Sequence, residues 1–211
     1  MKTIILNGSP RKNQNTAQML RSAQKGAESA GSETEYVDLF DLDYSGCRAC
    51  MACKLKDGQR CHCFWQDDLS PLLDRIFAAD SLIVGSPVYF GDITSRVHAL
   101  LERLCFTALS YDDYSSYFQG KVNVGVILTM NMPDDGYESF YKAKMEERLG
   151  MLRMLNGKLE ILPCTDTLQV NDYSRYNMAG FNEEHKQRMR AEKFPQNLDQ
   201  AFQLGKELFM K

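Results

Sequence analysis

No stretch of this chain approaches the roughly 20 consecutive apolar residues that a membrane-spanning helix needs. An excess of positive charge is also missing: 25 Lys and Arg stand against 28 Asp and Glu, for a net charge of −3. With no dense basic stripe, nucleic acid is not expected as a partner. A cleavable leader pattern is absent, since Lys2-Thr3-Ile4-Ile5-Leu6 already reads as a strand. These absences point to a cytoplasmic globular protein. No internal repeat, low-complexity segment or linker divides the 211 residues, which suit one α/β domain over 1–211. Two phosphate signatures are missing as well. No Gly-Lys-Ser/Thr ending follows the first glycine loop, and Gly8 belongs to no G-x-G-x-x-G. None of the seven Cys is followed, after five intervening residues, by the Arg a cysteine phosphatase would need.

What is present alternates. Lys2–Asn7, Glu33–Leu39, Ser81–Ser86, Val122–Thr129 and Lys158–Cys164 read as strands. Asn15–Ala30, Leu69–Ala79, Thr94–Ala108 and Glu138–Met154 read as helices. Glu183–Phe209 reads as helix in two pieces broken at Pro195. Five rounds of strand and helix predict a doubly wound five-stranded parallel sheet with helices on both faces. Such sheets bind ligands beyond the carboxyl ends of their strands. Three loops are expected there: Gly8–Asn15, Pro87–Ile93 and Met130–Gly136.

The first loop, Asn7-Gly8-Ser9-Pro10-Arg11-Lys12-Asn13-Gln14-Asn15-Thr16, suits a phosphate. Backbone N–H groups, polar side chains and the positive end of a helix dipole would converge on one anion. An ordinary turn with an Asn or Thr N-cap uses the same residue types. In the second loop, Tyr89 and Phe90 can cover a flat ring and Gly91 admits close backbone approach, or the aromatics pack on the protein itself. The third loop offers Thr129 and Asn131, or is a plain surface turn. Together the loops fit a ligand with a phosphate at one end and a flat ring at the other, the shape of FMN.

Five Cys (Cys47, Cys50, Cys53, Cys61 and Cys63) crowd into the long loop of about residues 44–66. In a reducing compartment this reads as metal or redox chemistry, not a disulfide framework. An iron–sulfur cluster, free thiols, or zinc with His62 all satisfy it. Cys105 and Cys164 read as core.

With these motifs in place, the chain resembles the flavodoxin-fold NAD(P)H-dependent FMN reductase and quinone reductase superfamily, in a branch similar to the iron–sulfur flavoproteins. The matching residues are Asn7-Gly8-Ser9-Pro10-Arg11 with Asn15-Thr16, Cys47-x-x-Cys50-x-x-Cys53 with Cys63-x-x-x-Asp67-Asp68, and Gly85-Ser86-Pro87-Val88-Tyr89-Phe90-Gly91. They span about residues 4 to 130. The resemblance implies an FMN oxidoreductase, usually a homo-oligomer with flavin at the subunit interface. NAD(P)H would be the electron donor, and a quinone, flavin or other small molecule the acceptor. It places Ser9, Arg11, Asn13, Asn15 and Thr16 at the FMN phosphate. Pro87, Val88, Tyr89, Phe90 and Gly91 would border the isoalloxazine ring, with Thr129 and Asn131 as further cofactor contacts. Hydride transfer to a flavin needs no protein acid or base, so no catalytic side chain is assigned. For a [4Fe–4S] cluster the implied ligands are Cys47, Cys50, Cys53 and Cys63, with Cys61 the alternative fourth. The other reading is an electron carrier serving a protein partner. The extension over about 166–211 opens with Tyr- and Asn-rich Asp166–Phe181, which covers the active site, a partner subunit or only the surface.

Overall fold

The run Ile4-Ile5-Leu6 is wholly buried, which makes Lys2–Asn7 (β1) a central strand. In the computed structural model, which describes residues 1–208, β1 lies parallel between β2 (Glu33–Asp38) and β3 (Ser81–Pro87). Strands β4 (Val122–Thr129) and β5 (Asn156–Cys164) complete an all-parallel sheet in the order β2-β1-β3-β4-β5. This is the expected flavodoxin-like order. The register pairs Asn7 with Gly85, so the loops after β1 and β3 leave the same edge. Strand order reverses between these two strands, which opens a crevice at their carboxyl ends.

Alternate residues of each strand face opposite layers. On one face Ile4, Leu6, Leu82, Val84, Val126 and Leu128 pack against α2 (Leu69–Phe77), α3 (Ser95–Ala108) and α5 (Lys142–Leu149). On the other, Ile5, Ile83 and Ile127 meet α1 (Asn15–Ser29) and α6 (Glu183–Glu207). These two helices touch backbone to backbone. A Cβ on Gly26 would lie 1.9 Å from the Phe202 carbonyl oxygen, and one on Gly205 would lie 1.9 Å from that of Ala23. Cys105 and Cys164 are core, and burial pushes both thiols up to about 12.

Three local expectations are corrected. Glu138–Met154 is not one helix. The segment runs as a single turn, α4 (Asp134–Gly136), a π-helical stretch Tyr137–Tyr141, α5, and a 3-10 turn Gly150–Leu155. The wide π turn buries Tyr137 and lays Tyr141 against Gly91, where a Cβ would meet the ring at 2.8 Å. Strand β5 starts two residues early, at Asn156. That residue holds a left-handed conformation (φ 60°) and donates to the Phe118 and Gly120 carbonyls at 2.6 and 3.0 Å. Finally, α6 is continuous through Pro195. The carbonyl that loses its partner belongs to Ala191, which is exposed like Pro195 itself, so it lies on the solvent side of the helix while Phe194 and Asn197 stay buried. Phe209, the expected end of this helix, lies outside the described residues. Among the described residues no helix is long and apolar enough to cross a membrane.

Candidate functional site

The loop after β1 is held from both sides. Asn7 donates to Asp38 at 2.7 Å and accepts from the Ser9 amide at 3.1 Å. The Gly8 amide donates to the Gly85 carbonyl at 2.8 Å, and the Thr94 hydroxyl donates to the Gly8 carbonyl at 2.8 Å. A Cβ on Gly8 would fall 2.3 Å from Val97 Cγ2, so only glycine lets this turn lie on β3. The N-cap of α1 is Gln14, which forms no side-chain cap, and no acidic residue occupies the first turn. The helix therefore presents uncapped amides and its positive end to the crevice.

Ser9, Arg11, Asn15 and Thr16 line one cavity with Pro87, Val88, Tyr89, Thr129 and Asn131. Thr16 and Thr129 share a buried hydroxyl hydrogen bond of 2.7 Å that ties α1 to β4. Asn13 is not brought there. It lines a separate groove beside Lys12 and Arg21. Residues from beyond β5 complete the cavity: Thr167 and Gln169 line it. Arg11 donates to the Gln169 carbonyl at 2.6 Å and Asn15 to the Leu168 carbonyl at 2.8 Å. Arg190 of α6 reaches Asn15 at 3.1 Å and Gln18 at 2.6 Å. The strand-to-loop position after β5 was the signal available for Thr167 and Gln169; nothing in the sequence marked Arg190.

A second cavity of about 450 Å³ adjoins the first and shares Val88, Met130 and Asn131 with it. Phe90 and Gly91 form one wall, both left-handed (φ 52° and 72°), in a turn closed by reciprocal Tyr89–Asp92 backbone bonds of 2.8 and 3.0 Å. Phe90 is fully exposed, so its ring does not pack on the protein itself, whereas Tyr89 is about half covered. Asn131 holds a buried side-chain oxygen with no partner, while its Nδ2 donates to Gln169 at 2.9 Å. Opposite stand Asp166, His185 and Lys186. Lys186 bonds Asp166 and donates to the Asn131 carbonyl at 2.7 Å, and His185 Nε2 lies 2.7 Å from Asp166 Oδ2. Burial works to raise the Asp166 carboxyl; the Lys186 and His185 bonds outweigh it and hold the group below the usual range.

The thiols form a separate pocket. Cys47, Cys50, Cys53 and Cys63 line it together with Trp65 and Arg103, whereas Cys61 lies outside. Burial pushes the Cys53 thiol up, and the neighbouring Cys47, Cys50 and Cys63 push it further against Lys54. Glu102 of α3 accepts from the Cys47 amide at 3.1 Å. Its neighbour Arg103 is 2% exposed. It donates to Cys63 Sγ at 3.2 Å, Ser70 Oγ at 2.7 Å, Asp67 Oδ2 at 2.5 Å and the Ser45 carbonyl at 3.3 Å. Its Nε is buried without a partner. Burial works to raise the Asp67 carboxyl, but Arg103 and the Leu69 and Ser70 amides hold it low. His62 is turned to Asp74 at 2.9 Å, and among the described residues no three His, Cys, Asp or Glu are placed to hold a single metal ion.

Against known proteins, the family model described as NADPH-dependent FMN reductase matches residues 1–134. An iron-sulfur flavoprotein of Methanocaldococcus jannaschii is 37% identical over 103 residues, 49% of this chain and 51% of that protein. One of Clostridioides difficile is 31% identical over 152 residues, 65% of this chain and 64% of the other. The chain spans about half the length of several curated relatives it matches. Among solved structures, an NAD(P)H:quinone oxidoreductase from Methanothermobacter marburgensis superposes with a TM-score of 0.72 at 17% identity, covering 100% of this chain and 98% of the other. An archaeal flavodoxin gives 0.51 at 12%, covering 99% and 96%. At these identities the likeness establishes the fold.

Proposed function

Because the chain belongs to the NADPH-dependent FMN reductase family, we propose that residues 1–211 act as a single FMN-binding oxidoreductase domain. The observation that carries this reading is the pair of joined cavities at the β1/β3 crevice. One is floored by an uncapped helix N-terminus; the other is walled by Phe90 and Gly91, with the unpartnered Asn131 oxygen between them. The donor set fits FMN: amides and hydroxyls for a phosphate, an orphan acceptor and exposed aromatics for a polar-edged ring.

Ser9, Arg11, Asn15 and Thr16 are proposed to hold the phosphate; Asn13, in the separate groove, is left out of that set. Arg11 is only partly engaged by Gln169, and its guanidinium keeps further donors free. Pro87, Val88, Tyr89, Phe90 and Gly91 border the ring, with Thr129 and Asn131 beside it. Bound there, FMN supplies hydride and single-electron transfer. The chain orients it and leaves the side toward the 450 Å³ cavity open to NAD(P)H and then to a small acceptor such as a quinone or flavin. Exposed Phe90 and Phe181, which line this cavity, favour a homo-oligomer that covers its mouth. Seven unpaired cysteines suit a cytoplasmic setting.

Cys47, Cys50, Cys53 and Cys63 are proposed to ligate a [4Fe–4S] cluster. Four thiols on one pocket and a buried, unpartnered Arg103 Nε–H fit an anionic, sulfur-rich occupant. This pocket favours a second reading, an electron carrier for a protein partner. Anaerobically purified protein with FMN added discriminates the two. Bleaching of the flavin by NADPH or NADH is expected; bleaching by reduced ferredoxin alone would transfer the assignment to the carrier.

A further inference from the structure

We propose that Arg103 is the positioning residue of the thiol pocket, fixing the Cys63 sulfur and setting the reduction potential of the cluster held there. The inference rests on the cluster reading above. One guanidinium gathers Ser45, Cys63, Asp67 and Ser70, and so pins both limbs of the Cys-rich segment to α3. The preceding residue, Glu102, fixes Cys47 through its amide. Two consecutive positions of one helix thus hold the first thiol of the set and the last.

Stability alone does not account for this arrangement. A buried ion pair is often no better than well-packed apolar side chains of the same volume. A buried Nε–H without an acceptor adds a desolvation cost. An anionic occupant of the pocket removes that cost by supplying the acceptor. Arg103 is also locked in direction. Its partner Asp67 is itself held by the Leu69 and Ser70 amides at 3.1 and 3.2 Å, so the guanidinium plane cannot swing away from Cys63. Lysine would not reproduce it, because the contacts are divided between two nitrogens, Nη1 for Asp67 and Ser45 and Nη2 for Cys63 and Ser70, and a single ammonium cannot occupy both positions.

Donors to a ligand sulfur and nearby positive charge favour the more negative, reduced state of a thiolate-ligated cluster, which raises its potential. Asp67 works in the opposite sense. The two residues therefore predict shifts of opposite sign. In anaerobically reconstituted protein, iron and sulfide content, iron retention against a chelator, and midpoint potential by EPR-monitored titration are measured for wild type, Arg103→Lys and Asp67→Asn. Arg103→Lys is expected to move the potential negative and to weaken iron retention roughly 10–100-fold. Asp67→Asn keeps the acceptor for the α2 amides but removes the charge, and is expected to move the potential positive. Potentials unchanged in both variants, or shifted the same way in both, overturn the proposal. If Arg103→Lys does not fold, the near-isosteric Asp67→Asn decides alone, and anything but a positive shift is fatal. Wild type that takes up no iron overturns the cluster reading and this inference with it. Loaded wild type with indifferent variants sinks the inference only.

Discussion

Asp166 is 6% exposed and left-handed (φ 56°), and its two carboxylate oxygens are divided between Lys186 and His185. Its folded-state pKa lies below the ordinary 3.8. The folded chain therefore binds fewer protons than the unfolded one as pH drops past that value. The stabilisation is full above it and is lost as pH falls toward the lower, folded value. Asp166→Asn should lower stability at pH 7 by about 3 kcal/mol, since it strands the Lys186 ammonium. The gap to wild type should narrow as pH drops toward 3, read as urea midpoints at each pH. A gap independent of pH would mean the carboxylate charge is not what matters. This cluster was not legible in the sequence. In the sequence Asp166 is only the start of a polar extension, and His185 and Lys186 reach it because α6 docks on α1. Of the cavity positions that were legible, Ser9, Val88, Tyr89, Thr129 and Asn131 sit at or just past strand ends, where periodicity stops, and Thr16 sits in the first turn of α1. Cys63 and Cys61 could not be separated by spacing; the contact that separates them, from Arg103, comes from a helix forty residues away in sequence.

At the level of the element, Pro195 lies on the wet side of a 25-residue helix. It removes one hydrogen bond and nothing in the core depends on its ring. Pro195→Ala should restore that bond and stabilise the protein by about 1–3 kcal/mol. For a domain of this size, differential scanning calorimetry should show a melting temperature higher by roughly 2–4 °C per kcal/mol. An unchanged or lower value would show that the ring of Pro195 contributes to the stability of α6. The five strands and the helices α1, α2 and α3 were legible from their apolar spacing and from the Gly, Ser or Asn near their ends, and α6 was legible except for its continuity through Pro195. The stretch 134–155 was not, because the position of Tyr141 against Gly91 dictates a π turn that no periodicity announces.

For the molecule as a whole, FMN should act as a stabilising ligand of the folded state only. At one hundred times its dissociation constant it should add about 2.7 kcal/mol, a rise in melting temperature of roughly 5–10 °C. A melting temperature indifferent to FMN across that range would count against the joined cavities as its site. One further consequence follows from how the second face of the sheet is covered. Ile5, Ile83 and Ile127 find much of their cover in Phe194, Ala201 and Leu204 of α6. On a ribosome adding about 5–20 residues per second, these isoleucines emerge from a few seconds to a few tens of seconds before Phe194 does. For that interval the nascent sheet has one face half open to water. The close Gly26–Phe202 and Gly205–Ala23 approaches then make α6 the piece whose arrival converts a sticky intermediate into a finished fold.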